Sequence, residues 1–184
     1  MVGERIRTIV LDPASKHDAR TDALLFNAAR AQLVQEVVRP ALARGALVIS
    51  TRFADSTLAY QGYGAGLPLD QLRALEALAT GGLRPDLTIL LDLPPETGLA
   101  RKDAERTRFE TGFGLDFHRR VRDGFLALAA AEPDRFAVVD ASGAEPDVAT
   151  AVLDVAARLL GVEELLQFAA PAGEPERAGL RIHR

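Results

Sequence analysis

One segment of the sequence gathers most of the side chains that can bind or steady charge. Residues 51–66 read Thr-Arg-Phe-Ala-Asp-Ser-Thr-Leu-Ala-Tyr-Gln-Gly-Tyr-Gly-Ala-Gly. Arg52 offers a planar guanidinium that can clamp a phosphate through parallel N–H donors. Ser56, Thr57, Tyr60 and Gln61 offer hydroxyl, phenol and amide groups for a base edge. The same residue types also suit a solvated loop bonded to itself. A second constellation is Phe26 with Arg30, spaced i, i+4 and therefore on one face of a helix. The ring can stack on a nucleobase while the guanidinium bonds its carbonyl edge. Equally, Phe26 can be core and Arg30 a surface charge. A third is Arg101, Lys102, Arg106 and Arg108, four cations in eight residues. They can close over a polyphosphate and steady charge in phosphoryl transfer. The ordinary alternative is a charged helix end balanced by its dipole and by Asp103 and Glu105.

Other chemistries are excluded. There is no cysteine, so disulfides, thiolate metal sites and a thiol nucleophile are ruled out. His17, His118 and His183 lie far apart, and no metal cluster or Ser-His-Asp triad is suggested. Of 22 basic residues only Lys16 and Lys102 are lysines, and neither follows a glycine-rich loop. No GxxxxGK[ST] phosphate loop is present in these residues. Residues 62–66 contain three glycines but no following lysine, and read as a flexible turn. A net charge of −4 argues against general nucleic-acid binding. No apolar run approaches the roughly 20 residues of a membrane span. Val2-Gly3-Glu4-Arg5 is too polar for a signal peptide, so a soluble, cytoplasmic protein is expected.

These side chains need elements to hold them. Residues 3–11 show helical spacing that Pro13 ends. A long helix is expected over 21–44, kinked at Pro40 and capped by Gly45. Short apolar runs at 46–50, 86–93 and 136–139 read as strands buried on both faces. Residues 51–67 read as a loop. Further helices are expected at 68–80, 95–102, 115–131 and 146–160. Helices alternating with two-faced strands imply an α/β protein with a parallel sheet, whose ligands bind at the strands' carboxyl ends. At 184 residues and 48% hydrophobic composition, one domain is expected over 1–161. Residues 162–184 form an extension, disordered from about 169.

Jointly these segments resemble bacterial thymidylate kinase (dTMP kinase), a P-loop nucleoside monophosphate kinase. Gly3-Glu4-Arg5-Ile6-Arg7 is similar to the family's GExIR segment. Residues 24–32 (LLFNAARAQ) are similar to its LLFxAARxQ helix. Arg52-Phe53 with residues 55–62 (DSTLAYQG) resembles DRFxDSTxAYQG. Residues 81–88 and 98–101 resemble the fourth strand and its helix, residues 115–122 the DFxxRVR helix, and residues 138–141 the last strand. The resemblance covers about residues 3–161. It implies a three-layer P-loop NTPase-like fold. It implies that Phe26 stacks on thymine and Arg30 bonds its edge. Arg52 would hold the dTMP phosphate. Ser56, Thr57, Tyr60 and Gln61 would read the base and sugar side, with Tyr60 disfavouring a 2′-hydroxyl. Arg101, Arg106 and Arg108 would belong to a lid over ATP. ATP and Mg²⁺ would serve phosphoryl transfer to dTMP, giving dTDP. Two such chains would form a homodimer through helices.

The resemblance also marks departures. Met1 falls just before the GExIR segment, so the family's first two strands, its P-loop and the P-loop lysine have no counterpart here. The family's strands lie in the order 2-3-1-4-5, so the run at 46–50 would face a gap. The chain is then expected to fold poorly, or to rearrange so that its strands pair. Thr51 stands where the signature has aspartate, and Thr107 is a similar change in the lid. The expectation is a thymidylate kinase homologue inactive by itself. The alternative is a non-catalytic nucleotide-binding or dimerising remnant.

Overall fold

A computed structural model describes residues 2–12, 14–101, 109 and 112–161. The chain divides into two compact units. One comprises Met1–Arg84 with Pro94–Leu128, the other Pro85–Leu93 with Ala129–Arg184.

The first unit is helical. Helix α1 (Val2–Leu11) buries Val10 and packs on α2 (Ala19–Leu33). A Cβ on Gly3 would sit 3.2 Å from the Ala29 carbonyl oxygen, so this glycine permits the close crossing. Helix α2 starts where the Asp18 carboxylate accepts the Thr21 N–H at 2.7 Å, satisfying one of the helix's orphan donors. It widens first into a π-helical segment, Val34–Val38, in which the Arg39 N–H reaches back to the Val34 carbonyl. Helix α3 (Arg39–Ala43) then takes Pro40 in its first turn. Proline lacks the N–H of an α-helical repeat and clashes with the carbonyl four residues back. The wider turn stands just ahead of Pro40, where the α-helical repeat is interrupted. Gly45, at φ 74°, ends the helix, and the Ala46 N–H bonds the Ala41 carbonyl.

The expected loop at 51–67 is instead mostly helical. Helix α4 (Ala54–Thr57) runs directly into a second π-helical segment, Leu58–Gly64. Gly62 and Gly64 are buried there rather than forming a flexible turn; only Gly66, at φ 82°, turns the chain. The reason is packing. A Cβ on Gly62 would lie 2.5 Å from Leu69 Cδ2, and one on Gly64 2.7 Å from Val121 Cγ2. Helices α5 (Leu69–Thr80), α6 (Pro95–Arg101) and α7 (Leu115–Ala131) fall within a residue or two of expectation. Gly81 ends α5 in the left-handed region, where Arg39 donates to the Thr80 and Gly81 carbonyls. The run at 46–50 forms no strand. Leu47 and Ile49 are about 60% exposed, at 60% and 61%. Apolar composition alone does not make a strand; the backbone needs a partner edge, and none of the described strands supplies one.

In the second unit β1 (Thr88–Asp92) and β2 (Phe136–Asp140) pair in parallel, Thr88 opposite Phe136 and Asp92 opposite Asp140. Helix α8 (Glu145–Leu160) packs on β2, starting with Pro146 in its first turn and ending at Gly161, φ 64°. Phe136 and Val139 are buried, but Leu91 and Val138 are each 51% exposed. These strands are therefore not buried on both faces, because a two-stranded sheet offers little cover. The parallel α/β pairing stands with two strands rather than three. The expected extension covers residues 162–184, outside the described residues.

Candidate functional site

The site candidates converge in the first unit, on α2, the short helix α4 and the π segment that continues it. Arg30 is 9% exposed, not the solvated charge its residue type allowed. Its NH1 donates to Asn27 Oδ1 at 2.7 Å, and its NH2 to the Phe53 carbonyl and Thr57 Oγ1, both at 3.0 Å. Asn27 is itself oriented by donating to the Ala23 carbonyl at 2.8 Å. The guanidinium lies 5.7 Å from the Phe53 ring centre. Burial pulls Arg30 below the ordinary arginine pKa, while the buried carboxylates of Glu76 and Asp55 act in the opposite direction. A buried charge is costly unless paired and hydrogen-bonded, and this one has both kinds of support.

Beside Arg30 lies an aromatic cluster. The Phe26 ring sits 5.8 Å from Phe109, and Tyr60 packs edge-on to Phe109 at 5.7 Å, Phe117 at 6.1 Å and Phe125 at 6.3 Å. Phe113 stacks on Phe117 at 4.1 Å. Ala59, Phe117 and Val121 form the buried centre against which Tyr60 rests. Tyr60 presents its hydroxyl at the other end. Arg52, which is exposed, donates to that hydroxyl at 3.2 Å and lies 5.0 Å from the ring centre. An exposed guanidinium and a phenol thus meet at the edge of an aromatic cluster, a placement suited to an anion on a flat aromatic ligand.

The π segment sets this geometry. Its wider turn is closed by the Ala65 N–H bonding the Tyr60 carbonyl and the Leu67 N–H bonding the Gln61 carbonyl, each at 3.0 Å. Arg120 of α7 anchors its end, donating Nε and NH2 to the Gly64 carbonyl at 3.1 and 2.9 Å. Such single-turn π segments recur at functional sites because they re-aim side chains.

Phe26, Arg30, Arg52, Thr57 and Tyr60 are thus brought together. Gln61 is 2% exposed and Ser56 half-buried, both on the same helical stretch. Arg101 is exposed at the end of α6; Arg106 and Arg108 lie outside the described residues. Sequence reasoning missed Asn27, Asp55, Glu76 and Phe109. Glu76 did leave a signal: Leu72, Glu76 and Thr80 are spaced by four and all buried, so a charge occupies the inward stripe of an amphipathic helix. Asn27 stands one turn before Arg30.

Among the described residues no three His, Asp or Glu side chains gather as a metal cluster. The described residues do not by themselves form a Mg²⁺ site. No described helix is long and apolar enough to cross a membrane.

By class, then, this is a helix-rich α/β protein with parallel pairing and an arginine–aromatic cluster on irregular helices. The sequence model of the thymidylate kinase family matches residues 1–152. The thymidylate kinase of Desulforudis audaxviator is 53% identical over 141 residues, covering 76% of this chain and 64% of that protein. That of Deinococcus radiodurans is 53% identical over 149 residues, covering 80% and 72%. That of a Synechococcus strain is 49% identical over 176 residues, covering 95% and 80%. The chain belongs to the thymidylate kinase family, and so to the P-loop NTPase-like α/β proteins.

Proposed function

We propose that this chain carries the acceptor side of a dTMP kinase, the phosphotransferase that moves a phosphoryl group from ATP to dTMP. One observation carries the reading: a buried, fully oriented Arg30 stands beside Phe26 and Tyr60, with Arg52 exposed at their edge. In this reading Phe26 stacks on thymine and Arg30 bonds its carbonyl edge. Arg30 arrives already ordered by Asn27, Phe53 and Thr57, so little of its side-chain freedom is lost on binding. Arg52 holds the 5′-phosphate, turned toward it by the Tyr60 hydroxyl. Tyr60 lines the sugar, and Ser56, Thr57 and Gln61 complete the base side. Catalysis by this side is positioning and charge stabilisation. Arg101, Arg106 and Arg108 act on the donor phosphates. Family membership implies ATP as donor and Mg²⁺ as its ion.

The 184 residues include no GxxxxGK[ST], and Thr51 replaces the signature's aspartate. Both favour a second reading, a chain that binds nucleotide without turning it over. Calorimetric titration with dTMP in the absence of ATP tests the acceptor site, and a coupled ADP-release assay tests turnover. The expected outcome for the 184-residue chain is saturable dTMP binding without turnover. Equal affinity for dTMP and deoxyribose 5-phosphate would overturn the base-reading role. Exposed Val2, Ile9 and Leu24 on α1 and α2 support association of two chains through these helices. Sedimentation at twice the chain mass is expected, and V2D/I9D should return it to the single-chain value.

A further inference from the structure

Phe109 is 7% exposed, and its ring touches the two rings to which the acceptor reading gives the base and the sugar. Its centre lies 5.8 Å from Phe26 at an interplanar angle of 41°, and 5.7 Å from Tyr60 at 90°. It is also stacked on Phe113, at 5.8 Å and 11°. Aromatic partners settle with centres about 4.5–7 Å apart. A pyrimidine resting on Phe26 and reaching Tyr60 would need the same separations from the same two rings. Phe109 therefore has the size, flatness and partners of the ligand itself.

We propose that the Phe109 side chain is an internal competitor for the nucleobase, taking up the ring contact with Phe26 until a base displaces it. The inference rests on the acceptor reading. The capped pocket stays dry and its rings stay packed when no nucleotide is bound. Binding then exchanges one aromatic contact for another. The pocket consequently discriminates against ligands that carry a phosphate but no base, because these cannot replace the contacts Phe109 gives up. The apparent affinity for dTMP is reduced by the fraction of chains in which the ring has left.

Two measurements test this. The chain has no tryptophan, so F109W places a single indole at the position. Its emission should be that of a buried indole in the free chain, and should shift to the red on saturation with dTMP but not with deoxyribose 5-phosphate. In parallel, calorimetry should show F109A and F109L binding dTMP more tightly than the wild-type chain. The gain is about tenfold if the capped form holds about nine chains in ten. Circular dichroism checks that each variant is folded, and F109L preserves most of the buried volume should F109A not fold. If dTMP binds but F109W emission does not move, or the truncated variants bind no more tightly, the competitor role is overturned and the acceptor reading stands. If dTMP binds neither the wild type nor a folded F109L, the acceptor reading fails and this proposal with it.

Discussion

Val34–Val38 and Leu58–Gly64 both leave the α-helical repeat for the π repeat, and they do so for different reasons. In the first the cause is local. Pro40 cannot donate a backbone bond, and the chain inserts a wider turn just ahead of it. In the second there is no proline. Its glycines are pressed against Leu69 and Val121, and its last carbonyl is held by Arg120 from a helix more than 50 positions away, a sequence separation of 56. The first π segment exposes Gln35 and Glu36, whereas the second buries Gln61 and half-buries Tyr60. One backbone irregularity thus accommodates a residue, and the other carries two candidate site residues.

Mutations can widen or erase this contrast. The largest effect is expected at Arg30, which ties α2 to the helix feeding the second π segment. R30A removes the buried guanidinium from Asn27, Phe53 and Thr57 and its charge from the field of Asp55 and Glu76; losing one member of such a buried network costs about 3–5 kcal/mol. Chemical denaturation should show that loss, and dTMP binding should vanish with it. R30K keeps the charge but not the fork to Phe53 and Thr57, and should recover only part of each. Next, G64A drives a methyl group into Val121 and Phe117. Overpacking of this kind costs about 1–3 kcal/mol, and the displaced Tyr60 should weaken dTMP binding in the same sample. P40A at the first π segment should be milder. It restores a donor but frees the unfolded chain, so a net change within about 1 kcal/mol is expected, with dTMP affinity unaltered. An affinity loss in P40A equal to that in G64A would break the distinction between the two segments.

The smallest effect is one of pH, at the start of the helix that carries the first π segment. The Thr21 backbone N–H, with its hydroxyl second, holds Asp18 below its ordinary carboxyl value of 3.8. A folded-state pKa below the unfolded one adds stability above 3.8 and loses it as the pH falls through the folded value. Denaturation midpoints of the wild type should therefore fall more steeply than those of D18N between about pH 5 and about pH 3. Asparagine also caps a helix but does not titrate. Parallel curves would remove Asp18 from the acid response.

Much of the frame was legible beforehand. Spacing and stop signals placed α1, α5, α7 and α8 to within a residue or two. Their limits are local: Gly81 and Gly161 act on the backbone beside them. The run at 46–50 misled because strand-forming composition says nothing about whether a partner edge exists. Residues 51–67 misled because glycine is permissive. In isolation three glycines in five residues suggest a turn, and only the side chains of Leu69, Phe117 and Val121 make them buried helix.

The sequence by itself determined the family, the helix ends, and the choice of Phe26, Arg30, Arg52 and Tyr60 as candidates. Each of these depends on residue identity and short spacing, which act through local sterics and hydrogen bonds. The tertiary structure alone decided that Arg30 is buried among Asn27, Phe53 and Thr57, that Glu76 and Asp55 oppose its charge, and that Phe109 rests on Phe26. Those partners come from distant parts of the chain, and only packing reveals which buried charge finds which counter-charge and which ring takes which face.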